Sequence, residues 1–362
     1  MTTVQKFRGE GRHERGAERR ARAEEGPERG EVILEVRDLR TYLFTKRALV
    51  KAVDGVSFYL RRGETLGIVG ESGSGKSITA LSLLRMEPKP AGRIVGGEVL
   101  FRGEDLLEKS PGEMRRIRGR RISMILQDPQ TSLNPVFTIG NQLREAFATA
   151  RRVERSRWSA AVVDALRKVN IADPERRVST YPHQLSGGMK QRVVGAIAIS
   201  GAPDIVIADE PTTSLDLTIQ AQYLRLIKEL QRTTSVGIIF ITHDFGIVAK
   251  MCDRVAVMYA GRIVEHGPVR DLFNNPSHPY TKALLDSVPR LEERTERLYS
   301  IPGHPPRAGE ELVGCRFAPR CAFADERCRR EYPPVFAGLS GRDEHTADCW
   351  RLEDPTWRPT SR

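Results

Sequence analysis

The chain has 362 residues, enough to bury one large core plus an appendage, or two modest domains, without help from a partner. Its 58 Lys and Arg against 47 Asp and Glu leave a formal charge of +11, which calls for an acidic partner: nucleic acid, the anionic face of a membrane, or polyphosphate. No run reaches the ~18 consecutive apolar residues of a membrane-spanning helix, and the first 30 residues lack the apolar stretch of a secretory signal, so a cytosolic chain without disulfides is expected.

Residues 1–30 mix Arg and Glu with almost no large apolar side chains, a composition that cannot offset the entropy of ordering, and are read as a disordered tail. From 31 to about 266, short β-branched runs alternate with segments compatible with helices: LGIVG then KSITALSLLRM, DIVIADE then TIQAQYLRLIKELQ, VGIIFIT then DFGIVAKM. Apolar strands without polar alternation are buried on both faces, so the fold class is α/β with a mostly parallel sheet. Between about 135 and 190 the strands stop and helical segments predict a helical subdomain; after 267, Pro, Arg and Cys mark a C-terminal appendage.

GESGSGKS (70–77) sits between a predicted strand and a predicted helix, the context that a P-loop requires. Gly70, Gly73 and Gly75, with Glu71, Ser72 and Ser74 between them, let backbone N–H groups turn toward phosphates; Lys76 adds a mobile charge and the Ser77 hydroxyl a Mg²⁺ ligand. IVIADEP (205–211) ends an apolar strand in two carboxylates that face opposite ways, so Asp209 is assigned to Mg²⁺ and Glu210 to the base that polarises water. Gln127 and His243 also end apolar strands, where an open parallel sheet gathers its ligands; Gln127 is read as sensing Mg²⁺ or water, His243 the γ-phosphate. LSGGMKQR (185–192) makes a second anion-binding helix start, with Ser186 as cap and Gly187 and Gly188 leaving amides free, but no lysine-bearing loop of its own.

In order, the P-loop, Gln127, LSGGMKQR, IVIADEP, the SLD loop at 214–216 and His243 resemble the ATPase of ABC transporters over residues 31–266. The resemblance implies that Ser186, Gly187, Gly188 and Asp216 contact the ATP of an opposing, homologous subunit in a head-to-tail pair. It also implies that the segment after Gln127 and the helical subdomain dock on transmembrane subunits, with Phe137 and Leu143 on the docking face or in the core. One departure is visible. Where such ATPases carry a ring that stacks on adenine, this chain has Leu43, and the flanking Tyr42 is assigned to the adenine, with Phe44 on the other side.

NPSHPYTKALLDSVP (275–289), IPGHPP (301–306) and GCRFAPRC (314–321) resemble the C-terminal extension of ATPases from oligopeptide and dipeptide importers, a group that includes nickel importers. Two ATPases, two transmembrane permeases and an extracellular substrate-binding protein are implied, with this chain at the cytoplasmic membrane face. Nucleic acid is not expected: DNA-acting relatives place a very long coiled coil between P-loop and signature, and here about 110 residues intervene. Cys315, Cys321, Cys328 and Cys349 read C-x5-C-x6-C-x20-C. Four thiolates suit zinc or an iron–sulfur cluster, and the absence of C-x2-C pairs disfavours a zinc ribbon. By resemblance a [4Fe-4S] cluster is expected, with Zn²⁺ or plain reduced thiols as alternatives. His304 and His345 read as solvated, and Cys252 as a buried thiol.

Overall fold

The computed structural model describes residues 30–150, 153–213, 215–288, 299–307 and 309–359, giving only the backbone of 129 and 130. The expected tail lies outside these residues except for Gly30.

Strands β1 (Val32–Phe44) and β2 (Leu49–Arg61) pair as an antiparallel hairpin, and β4 (Gly92–Phe101) pairs with the other edge of β1, carrying the two-residue β5 (Glu104–Asp105) beyond it. Their mixed burial fits a sheet with one face on the core. The second sheet is built around β3 (Thr65–Val69), flanked by β8 (Gly237–Thr242) and β9 (Arg254–Tyr259), with β7 (Ile205–Asp209) and β6 (Ile122–Ile125) continuing beyond β8. All five run parallel, and β3, β7, β8 and β9 are buried along their whole length, as the apolar runs in β3, β7 and β8 predict. Ile205, Ile207, Ile239 and Ile241 are essentially inaccessible. Each such side chain stabilises the fold by roughly 1.5–3 kcal/mol.

Helix α1 (Lys76–Leu83) follows β3. Among the described residues only helical segments and turns lie between β6 and β7, including α2 (Ile139–Ala150), α3 (Trp158–Lys168) and α4 (Gly187–Ile199). Helices α5 (Leu217–Thr234) and α6 (Phe245–Met251) follow β7 and β8. Phe147, Val162, Leu166, Val193, Tyr223 and Phe240 join the α2–α5 helices to the sheet in one apolar cluster.

The Pro- and Cys-rich segment does not stand apart. β10 (Arg262–Pro268) folds back on β9, and the short β12 (Thr346–Ala347) pairs with β10 and with β11 (Phe336–Ala337), so this segment extends the core sheet. Helix α7 (Pro279–Asp286) lies in the same segment, and its Tyr280 packs with Phe317, Val69, Val257 and Tyr259 in one cluster. From Val32 onward the chain forms one compact unit.

His345 departs from the expectation that it is solvated. It is fully buried, with Nε2 2.9 Å from Glu265 Oε1 on β10, and Glu265 accepts the N–H groups of Ser277 and His278 with its two oxygens. A carboxylate buried at the sheet edge needs such partners, and the histidine supplies one from 80 residues away.

Candidate active site

The strand-end residues converge as the open-sheet rule requires. Glu210 directly follows β7 with φ 45°, in the left-handed region that strains a non-glycine residue, and its N–H is anchored to the Ile241 carbonyl at 2.9 Å. Its carboxylate collects three side chains: Gln127 donates to Oε2 at 3.0 Å, Thr213 donates to the same oxygen at 3.0 Å, and His243 Nδ1 lies 3.2 Å from Oε1. Gln127, read as a sensor of Mg²⁺ or water, is here tied to the carboxylate. Thr213 was not singled out in the sequence; its signal is a hydroxyl three residues past the catalytic-type acid.

Next to it, Asp209 is buried and bonded to the Ser77 hydroxyl. Burial pushes its carboxyl above the usual range, against the Ser77 bond and the Lys76 charge. Its Oδ1 is buried without a hydrogen-bond partner among the described residues. An orphaned carboxylate oxygen beside a serine hydroxyl is a donor set that suits a hard divalent cation.

The loop supporting Lys76 depends on glycine at two points. Gly75 caps α1 with φ 106°, and a Cβ there would lie 2.2 Å from the Ala52 carbonyl; at Gly70 a Cβ would lie 2.1 Å from the Met258 carbonyl. The backbone of β2 and β9 therefore touches the loop where any side chain would stand. Lys76 Nζ donates to the Gly70 and Glu71 carbonyls at 2.8 and 2.9 Å. Burial lowers its pKa, opposed by Glu210, Asp209 and Glu71. Ser72 and Gly73 are exposed, whereas Ser74 is buried and its carbonyl accepts the Gly261 N–H.

The second glycine turn is a capped helix start: Ser186 Oγ accepts the Met189 N–H at 3.3 Å, and Ser186 and Gly187 are exposed. A Cβ on Gly187 would meet nothing within 4 Å, while one on Gly188 would press on the Ile219 side chain at 2.6 Å. Asp216 caps α5, accepting the Thr218 and Ile219 N–H groups at 3.1 and 3.0 Å. Ser214 lies outside the described residues.

Residues 53–213 match the family model described as ABC transporter, and residues 264–328 match that of the oligopeptide/dipeptide transporter C-terminal region. A probable peptide ABC transporter ATP-binding protein of Sinorhizobium fredii is 52% identical over 327 residues, covering 90% of this chain and 97% of that protein. A dipeptide transport ATP-binding protein of Bacillus subtilis is 49% identical over 325 residues, covering 90% and 96%. The chain belongs to the oligopeptide/dipeptide group of ABC transporter ATPases. Among solved structures, a dimeric ATP-binding cassette in a post-hydrolysis state with ADP and phosphate shares the fold (TM-score 0.59, 22% identity, 66% of this chain and 99% of that one). So does an ABC transporter subunit of Clostridium perfringens (TM-score 0.58, 27% identity, 67% and 91%).

Tyr42 is half-buried and its hydroxyl donates to Asp54 Oδ1 at 2.7 Å, while Asp54 is also paired with Arg316 and, at 3.5 Å, Arg262. Phe44 is the more open ring, with the Arg93 guanidinium 5.1 Å over its face. Of the two residues expected at the docking face or in the core, Leu143 is core, fully buried, and Phe137 is 48% exposed.

The four C-terminal cysteines line one cavity with Phe317, Phe323 and Trp350. None is disulfide-bonded. Burial raises all four thiols, Cys315 and Cys349 to about 12. Among the described residues no group of three or more His, Cys, Asp or Glu is arranged to hold a metal ion. The expected zinc or iron–sulfur centre is thus not displayed, although the thiols face a shared space. His304 is exposed, and Cys252 packs against Gly67, where burial raises its thiol.

Proposed function

We propose that this ATPase hydrolyses ATP to drive peptide import, working as one of two ATPase subunits beneath two permeases at the cytoplasmic face of a membrane. The observation that carries the chemistry is the convergence of Gln127, Thr213 and His243 on Glu210, beside the Ser77–Asp209 pair. The peptide cargo rests on the C-terminal family match and on the peptide, dipeptide and oligopeptide relatives.

In this reading the P-loop amides and Lys76 hold the phosphates, exchanging the lysine's bonds to its own loop for phosphate oxygens. Mg²⁺, held through Ser77 and Asp209 with Gln127 nearby, would neutralise charge on the phosphates. Glu210 orients and polarises the attacking water; Gln127 and Thr213 fix its carboxylate, and His243 is placed to meet the γ-phosphate. The Ser186–Gly187–Gly188 turn, exposed at Ser186 and Gly187, has no loop lysine of its own and serves the nucleotide of the opposing subunit, with Asp216 nearby. Tyr42 is proposed at the adenine. Residues 31–266 act as the motor with a helical subdomain over about 135–190, and 267–362 as its extension. The expected external substrate-binding protein completes the assembly.

The test is purification from solubilised membranes. Two permeases and a second ATPase should accompany the chain, and the assembly's ATP hydrolysis should rise with peptide-loaded binding protein. Hydrolysis indifferent to peptides but stimulated by another solute would reject the cargo.

The four cysteines converge on one cavity and would hold a [4Fe-4S] cluster through Cys315, Cys321, Cys328 and Cys349. When bound, it would cross-link the extension. Anaerobic purification with iron, sulfide and zinc assays should find about four irons and four sulfides per chain. One equivalent of zinc without iron, or neither metal, would reject it.

A further inference from the structure

The C-terminal extension reaches the P-loop directly. Glu71, the second loop residue, has its N–H donated to the Tyr280 hydroxyl at 2.9 Å, and its carboxylate takes both Arg320 Nη atoms, at 2.6 and 3.0 Å. These partners lie 209 and 249 residues along the chain. Tyr280 is fully buried, and the Arg320 side chain is 4% exposed. A two-pronged guanidinium–carboxylate pair fixes orientation as well as distance.

Both partners are themselves held. Tyr280 packs against Tyr259 and Phe317 with centroids 4.6 and 5.2 Å apart. Arg320 also donates to the Tyr259 hydroxyl at 3.3 Å and to the Pro302 carbonyl at 2.9 Å. It ends a tight turn begun by Cys315, in which the Ala318 and Arg320 N–H groups bond the Cys315 and Phe317 carbonyls at 2.9 Å. Burial opposes the Arg320 charge, and Glu71 and Tyr259 together more than restore it.

The loop needs this support. Lys76 bonds the carbonyls of Gly70 and Glu71, so the peptide groups around Glu71 set where the lysine and the loop amides point. Resting on the nucleotide-site reading above, we propose that Tyr280 and Arg320 are positioning residues for ATP: through Glu71 they hold the P-loop in its phosphate-ready shape, making nucleotide affinity a property of the C-terminal extension. The turn carrying Arg320 lies between Cys315 and Cys321.

The test uses the full-length chain with Mg²⁺ and a fluorescent ATP analogue, followed by steady-state hydrolysis in the assembled transporter. Tyr280→Phe removes only the hydroxyl and keeps the ring. It should weaken ATP binding roughly three- to tenfold, raising KM more than it lowers kcat. Arg320→Met should weaken binding further and Arg320→Lys should recover part of the loss, and Glu71→Gln combined with Arg320→Met should cost less than the sum of the two. A lowered melting temperature with unchanged ATP affinity in Tyr280→Phe and Arg320→Lys would mean that the contacts only stabilise the fold, and would overturn the proposal. If Arg320→Met does not fold, the Tyr280→Phe measurement still decides. Failure of the unaltered chain to bind ATP would remove the nucleotide-site reading itself, and this inference with it.

Discussion

Glu210 shows how one residue gathers a site. Its left-handed backbone turns the carboxylate out of the sheet, and Gln127 and His243, each at the end of a different strand segment, meet it within 3.2 Å. Glu210→Gln keeps the shape and can still bond Gln127 and Thr213, but it no longer attracts a proton from water. Hydrolysis should fall by roughly a hundredfold or more, while ATP still binds and the subunit pair persists on size-exclusion chromatography. Undiminished turnover would refute the role given to Glu210. These residues were legible because each ends an apolar strand and a parallel sheet collects its strand ends. Thr213, Tyr280 and Arg320 were not: a lone hydroxyl, ring or guanidinium in an irregular segment has no periodicity to place it.

At the scale of elements, helix α7 begins with a cap that works only while uncharged. His278 Nδ1 accepts the Tyr280 N–H at 3.0 Å, and complete burial lowers its pKa from 6.5 to about 3. His266 on β10 is likewise lowered to about 3, by burial and then by the Arg254 and His345 charges. For a base depressed on folding, the unfolded chain takes the proton first, so the stability present above pH 6.5 is lost as pH falls toward 3. At pH 5 the loss from His278 alone is about 2 kcal/mol. The melting temperature should therefore drop between pH 7 and 5, and His278→Asn, which keeps a capping oxygen, should flatten that drop; an unchanged slope would clear His278 of the effect. The parallel strands and α4 were readable from unbroken apolar runs and from Ser186 before two glycines. The pairing of β11 and β12 with β10 was not, because two-residue strands carry no alternation.

Across the whole molecule, the sequence order of motifs was enough to expect an α/β ATPase core, since each motif is a local strand-to-turn event. How the C-terminal residues meet that core depends on contacts between distant segments. Arg320 with Glu71, Arg316 with Asp54 and His345 with Glu265 all place a charged or polar side chain where composition alone suggests solvent. Each is paired because a buried charge left alone is costly.

The sealing of β10 has a bearing on synthesis. Thr346 and Ala347 occupy the edge of a strand completed at residue 268, and the carboxylate of Glu265 finds its imidazole only at residue 345. While the chain emerges, that edge must remain exposed for dozens of residues after the motor's own strands are complete. At ~5–20 residues per second this lasts several seconds or more, an interval in which open strand edges are prone to wrong partners. Residues 345–347 thus act as the closing stitch of a sheet whose middle was made long before.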